Sequence, residues 1–256
     1  RSRQGGQGVV ALVRLVDAPS TDDRELVALF VRVPGVDGAQ GEVPSQSTGI
    51  TFEAGGKGQA ALIDGTDVLT YPATDNFNAA EGTIEFMVKP QWNGNDNLGH
   101  FFFAIGNDFI LLKDGGNYLR FVIRNDDSEA NQGYYIGNWV ANQWHHIAIT
   151  WKVPGTMKTY VDGVEQISHT ASAQDLLTLP LAALSIGSRN NAQQANAVFD
   201  ELTIRSTQLS ATEVTNRYLE NLTFTNWTLT PTTASIEMHP GWSYWVPLSI
   251  QANTNF

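Results

Sequence analysis

Several residues of this 256-residue chain are of types that do chemistry, and their spacing limits what that chemistry can be. His145-His146 invites a metal or general-base reading. Neighbouring residues on a strand point to opposite faces, so the two rings cannot share one ion. His100, His169 and His239 are scattered, without metal-ligand spacing. Asp200-Glu201 are also adjacent and would diverge on a regular strand, and Glu85 stands alone among apolar residues. The sequence has no Gly-x-Ser-x-Gly elbow and no phosphate-cradling glycine loop. With no cysteine, a disulfide framework, a thiolate zinc site and a cysteine nucleophile are excluded.

Recognition chemistry is better represented. Trp92 stands with Asn93, Asn95 and Asp96; Tyr134 and Tyr135 with Asn138 and Trp139; Arg189 with Asn190 and Asn191. Aromatic faces stack on the C–H surfaces of sugars, and amides and carboxylates bond their hydroxyls. Trp92, Asn95, Asp96, Tyr135, Trp139, Arg189 and Asn190 are therefore the candidate ligand-binding residues. The competing reading makes these aromatics sandwich core and the asparagines ordinary turn residues; Trp144 and Trp151, set within an alternating run, are expected in the core.

The elements that must carry these clusters are strands. Ile84, Phe86 and Val88 alternate with Thr83, Glu85 and Met87; His145, Ile147, Ile149 and Trp151 alternate with Trp144, His146, Ala148 and Thr150. Period-two runs separated by Gly, Asn, Asp and Pro clusters indicate an all-β sandwich or barrel. Asp162-Gly163 between two short runs predicts a tight hairpin. One short helix is expected after Ser210, where Ser210 and Glu213 form a capping box and Val214 and Tyr218 share a face. Residues 1–47 read as N-terminal strands and a linker, 48–220 as the main sandwich, and 221–256 as a C-terminal extension. In that extension Ala234–Gly241 and Trp245–Ile250 resemble the opening strands of bacterial immunoglobulin-like modules.

Charge narrows the partners. Fifteen Lys and Arg face 26 Asp and Glu, a net charge of −11, which disfavours a phosphate backbone as partner. No apolar run approaches the ~20 residues that span a bilayer; Val9–Val16 and Leu26–Val33 are interrupted by Arg14 and Arg32. Few lysines among many Asn, Thr, Gln, Ser and Gly suit an extracellular or cell-surface β-protein. The sequons at Asn221 and Asn226 matter only in a glycosylating source.

Five segments in order carry a family resemblance: Gly58–Leu62, Gly82-Thr83-Ile84-Glu85-Phe86-Met87-Val88-Lys89-Pro90, Gln143–Trp151, Tyr160-Val161-Asp162-Gly163, and Ile186-Gly187 followed by Phe199–Ile204 and Leu209-Ser210. Together they resemble the laminin-G-like jelly roll of the concanavalin A-like lectin/glucanase superfamily over about residues 48–220. The resemblance implies two antiparallel sheets packed face to face. It also raises the possibility of hydrolysis, since the glucanases of this superfamily carry Glu-x-Asp-x-x-Glu on one strand; this chain lacks that motif.

An acidic, cysteine-free chain suits a hard cation. The resemblance implies a structural calcium ion held by Asp200 and the Gly55–Gly56 turn; the plainer role for Asp200 is to close a turn or pair with a cation. The expected function is non-catalytic carbohydrate recognition or adhesion on a cell-surface protein, with neighbouring domains or subunits contacted through the termini. The alternatives are a structural subunit assembled through its terminal strands and a polysaccharide-active hydrolase or lyase.

Overall fold

The computed structural model describes residues 44–222, apart from 57–58, 75, 126–127, 178–180, 182 and 191–192, together with the backbone of five further strands. Asn191, Gly58, Ala234–Gly241 and the Asn226 sequon therefore lie outside the described residues. Strands β1 (Leu12–Asp17), β2 (Arg24–Leu29) and β3 (Gly41–Glu42) come first. They precede β4 (Gln46–Thr48), β5 (Thr51–Ala54), β6 (Gln59–Ile63), β7 (Val68–Tyr71) and β8 (Glu81–Pro90). The middle of the chain forms β9 (His100–Ile105), β10 (Phe109–Lys113), β11 (Tyr118–Arg124) and β12 (Glu129–Tyr135). Then come β13 (His145–Lys152), β14 (Gly155–Val161), β15 (Val164–Ala171), β16 (Leu184–Ile186) and β17 (Ala197–Arg205). Helix α1 (Ala211–Leu222) follows, and β18 (Trp227–Pro231) pairs with β19 (Leu248–Ala252). A 3-10 turn at Ala173–Asp175 interrupts what the sequence reads as uniformly β before the helix.

Two antiparallel sheets make the sandwich. One runs β12-β11-β10-β9-β16-β7-β4; the other runs β15-β14-β13-β8-β17-β2-β1-β3, with β6 and β5 branching from β17. The predicted alternation holds along the strands, but Trp144, expected in the core, is half-buried just before β13 with Lys89 Nζ 5.2 Å from its ring centre. Ile84, Phe86 and Val88 of β8 and Ile147, Ile149 and Trp151 of β13 meet Phe103, Phe109, Leu111 and Phe121 of the facing sheet in one buried cluster. Each such side chain taken out of water contributes roughly 1.5–3 kcal/mol, so register is fixed by which face is apolar.

Strand β17 changes partner along its length. Ala197–Phe199 pair with β6, whereas Leu202–Arg205 pair with β2. At the break, the register against β8 shifts between Asp200 and Thr203, and Glu201 takes φ +51°. The regular strand assumed for Asp200-Glu201 from sequence is thus corrected to an irregular step. The same pairing joins the N-terminal strands to the larger sheet, and β4 straddles the sequence-based boundary at residue 47.

The hairpin and the helix lie where the sequence puts them. Asp162 and Gly163 take φ values of +50° and +75°, as a type I′ turn requires. The Ser210 backbone N–H donates to Glu213 Oε2 (2.7 Å) and Glu213 N–H donates to Ser210 Oγ (3.3 Å), closing the capping box. Val214 packs on Ala148 and Tyr160, and Thr215 Oγ1 donates to the Gly163 carbonyl at 2.7 Å. The helix thereby covers part of the outer face of the larger sheet.

Candidate ligand-binding surface

At one end of the sandwich the β8–β9 and β12–β13 connections meet over a ladder of four nearly parallel rings. His100 stacks on Trp92 (4.4 Å, 12°), Trp92 on Trp139 (6.5 Å, 11°), and Trp139 on His145 (3.9 Å, 9°). The Trp92 indole N–H donates to the Ala195 carbonyl at 2.7 Å. Trp92 and Trp139 are only 7% and 6% exposed. Sequence reading puts these two indoles on a ligand; the structure puts them inside, where each has two ring neighbours in the ladder. Packing these rings on one another removes a large apolar surface from water at this end of the sandwich.

Asp96 is committed to the same architecture. Its Oδ1 accepts from Lys113 Nζ (2.5 Å) and from the Leu98 N–H (3.0 Å), and its Oδ2 lies 2.7 Å from His100 Nε2. Lys113 is wholly buried, with Nζ 3.0 Å from the Leu98 carbonyl and 5.4 Å from the Trp92 ring centre. Burial pushes the Asp96 carboxyl up, but the bonds from Lys113, Leu98 and His100 outweigh it and hold the group below its ordinary value. Burial likewise holds His100 below the usual imidazole value, with Asp96 opposing in part. Asn95 is exposed at the loop tip. Asn93 Oδ1 accepts the Ala141 N–H at 3.0 Å, tying the two loops together.

The exposed aromatics lie on the outer face of the seven-stranded sheet. On β11, Leu119, Phe121 and Ile123 enter the core, so Tyr118, Arg120, Val122 and Arg124 face away from it. Opposite them on β12 stand Tyr135, Gly133, Asn131 and Glu129. Tyr118 and Tyr135 are 39% and 52% exposed and meet edge to face, 5.5 Å apart at 69°. Arg120 ion-pairs with Asp114 and sits 5.5 Å from the Tyr118 ring. It lies across Gly133, where an added Cβ would come within 3.4 Å of its Nη1.

Deeper on this face Phe101, Ile110 and Val122, with Leu112 against them, form a small buried cluster separate from the core. Arg189, from the β16–β17 connection, covers Phe101 with its guanidinium carbon 4.4 Å from the ring centre. Exposed Asn190 donates from Nδ2 to Asn107 Oδ1 at 3.4 Å. The structure therefore brings Tyr135, Arg189 and Asn190 to one sheet face and its border. Trp92, Asn95, Asp96 and Trp139 belong to the adjoining loop end. Sequence reading missed Tyr118, Arg120 and Phe101; the alternation of Tyr118, Arg120 and Val122 against Leu119, Phe121 and Ile123 was the available signal.

The two histidines diverge as their spacing requires. His145 joins the ladder, with Nδ1 3.1 Å from Asp162 Oδ2. His146 is buried on the opposite face beside the Tyr218 ring, its Nε2 3.6 Å from Glu85 Oε2. Glu85, also buried, faces Arg217 (3.4 Å) and Arg205 (3.7 Å).

Asp200 does stand beside the Gly55–Gly56 turn. Its Oδ2 accepts the Gly56 N–H at 2.8 Å and its Oδ1 accepts the Glu201 N–H at 2.9 Å. A Cβ on Gly55 would lie 2.4 Å from Oδ2, so only glycine lets the turn approach this carboxylate. Among the described residues, the group this place offers an oxygen-seeking cation is one buried carboxylate, each of whose oxygens already accepts a backbone N–H.

The family model described as the concanavalin A-like lectin/glucanases superfamily, a laminin-G model, matches residues 63–215. The chain belongs to this superfamily. No curated protein matches the sequence. Among solved structures, the receptor-binding domain of the botulinum neurotoxin C/D mosaic serotype superposes with a TM-score of 0.59 at 13% identity, covering 83% of this chain and 51% of that one. The binding domain of Paraclostridial Mosquitocidal Protein 1 gives 0.56 at 15% identity, covering 82% and 51%. The binding domain of botulinum neurotoxin DC in complex with SialylT gives 0.57 at 13% identity, covering 88% and 54%. At these identities the likeness is one of fold, and the chain spans about half the length of each of these domains. Among the described residues no helix is long and apolar enough to cross a membrane.

Proposed function

We propose that this superfamily member is a non-catalytic, extracellular saccharide-binding module whose contact surface is the outer face of the seven-stranded sheet. The observation that carries the reading is the Tyr118–Tyr135 pair. Two exposed rings from neighbouring strands are braced by Arg120, which lies over Gly133 and whose Nη1 is 3.5 Å from Asn131 Oδ1. Rigid rings with amides beside them supply stacking surface at little entropic cost. The similar folds include binding domains, one of them in complex with SialylT. Asp114 and Glu129 at this surface are engaged by cations, Arg120 and Arg124 respectively, which supports binding over hydrolysis. We propose calcium at Asp200 as a separate, structural site.

A glycan array of neutral and acidic saccharides, probed with the labelled chain, tests the reading. Specific hits that Tyr135→Ala abolishes support it; an array with no hits rejects it. A second reading, a structural subunit joined through its ends, draws on the pairing of β2 with β17, which extends the larger sheet to β3. Trimming residues 1–45 or 221–256 would abolish assembly and leave the sandwich folded if that reading holds.

A further inference from the structure

Among the described residues, Arg189 stands apart from the other cations. Lys89, Lys113, Arg120, Arg124, Lys152, Lys158, Arg205 and Arg217 each have a carboxylate within ion-pair distance. Among the described residues, Arg189 is the one Arg or Lys side chain without such a partner. This is unexpected in a chain of net charge −11, where carboxylates outnumber cations. Its position is nonetheless fixed. The guanidinium lies on the Phe101 ring, and Nη2 donates to Gln193 Oε1 at 2.8 Å. The Phe101 N–H donates to the Gln193 carbonyl at 3.4 Å, so the stack and its brace form one unit. Gly187, at φ +67° and with its N–H on the Phe102 carbonyl at 2.8 Å, turns the chain so that residue 189 falls above Phe101.

A guanidinium carries five N–H donors in one rigid plane. One donor is used by Gln193; the remainder form a planar fork suited to a carboxylate. Groups that would serve the rest of a glycan lie on the same sheet face. Asn190 is exposed and bonded to Asn107, and the β11 side of the same sheet face carries the Tyr118–Tyr135 pair. Building on the saccharide-binding reading, we infer that Arg189 is a specificity residue that selects carboxylate-bearing saccharides, such as uronic or sialic acid glycans, over neutral ones. The amides and rings supply the affinity shared with neutral sugars, and the guanidinium supplies the discrimination.

The test compares matched probes: polygalacturonate against its methyl ester, and sialyllactose against lactose. Each is measured by calorimetry with the wild-type chain and with Arg189→Gln. A charge-assisted hydrogen bond is worth about 1.5–3 kcal/mol, so the acid form should bind roughly 10- to 150-fold tighter than its neutral partner. In Arg189→Gln that ratio should fall to about 1; both probes are compared on the same variant, so any loss of stability from uncovering Phe101 affects them equally. Wild-type affinity for the acid probe alone should drop as sodium chloride rises, since salt screens an exposed pair. This arm needs no variant. Equal binding of acid and neutral probes, an acid preference that survives in Arg189→Gln, or salt-independent acid binding each overturns the inference. Array hits confined to neutral glycans would overturn it too while leaving the binding-module reading intact; a silent array removes both.

Discussion

His100 lies flat on Trp92, with ring centroids 4.4 Å apart and planes 12° from parallel, and its Nε2 is 2.7 Å from Asp96. This contact couples loop order to pH. Burial holds the folded His100 below the ordinary imidazole value of 6.5, so below that pH the unfolded chain takes up a proton that the folded chain resists. Stability therefore falls as pH drops through about 6.5. Asp96, held below 3.8, contributes stability that is present above that value and is lost only as pH falls through its lower folded value. Melting temperature should decline from pH 7 to pH 5. In His100→Phe, which keeps the stack and removes the proton, the decline should be shallower. An identical slope in the two proteins would contradict the assignment.

Two glycines separate backbone strain from steric crowding. Gly65 and Gly163 both have positive φ, +55° and +75°. A Cβ at Gly65 would meet nothing within 4 Å, whereas one at Gly163 would lie 2.7 Å from the Tyr218 ring of α1. Alanine at either position adds about 1–2 kcal/mol of left-handed strain. At Gly163 overpacking should add a further ~1–3 kcal/mol. Urea denaturation should show the Gly163→Ala midpoint below that of Gly65→Ala. Equal midpoints would mean that α1 moves aside freely.

For calcium, the Asp200 carboxylate is the group to remove. If the ion binds the folded chain alone, millimolar calcium should raise the wild-type melting temperature by mass action, and a chelator should reverse the rise. Asp200→Asn should abolish the calcium response. It should also lower stability by about 1–3 kcal/mol in chelator, because the Gly56 and Glu201 N–H groups lose a charged acceptor. A wild-type melting temperature indifferent to both calcium and chelator would leave Asp200 as a turn-closing residue only.

The sheets were legible because burial acts on every second side chain. Ile84, Phe86 and Val88 announce an inward face whatever their partner strand is, and Asp162-Gly163 announces its turn by backbone freedom alone. Asp200-Glu201 was harder, since the step in β17 arises from a change of neighbour between β6 and β2, which no local pattern encodes. The surface residues divided for a similar reason. Tyr135 and Trp139 look alike as members of one aromatic cluster, yet one closes on Tyr118 at an edge strand and the other is stacked between Trp92 and His145. That difference depends on loop-to-loop packing over distances the sequence does not display. Arg189 above Phe101 is likewise a contact across 88 residues of chain.

Trp139 and Tyr135 should consequently respond in opposite ways to truncation. Trp139 is buried between two rings, so Trp139→Ala removes a large side chain from a packed stack and should cost about 3–5 kcal/mol, releasing the loops that carry Asn93 and Ala141. Tyr135 is 52% exposed, and Tyr135→Ala should stay within about 0.5 kcal/mol of wild type. Binding to a glycan found on the array should show the converse. Tyr135→Ala should lose it at full stability, while Trp139→Ala should lose it only to the extent that the folded fraction falls, as followed by near-ultraviolet circular dichroism. Should Trp139→Ala melt like the wild type, the ring ladder would not be what orders this end of the sandwich.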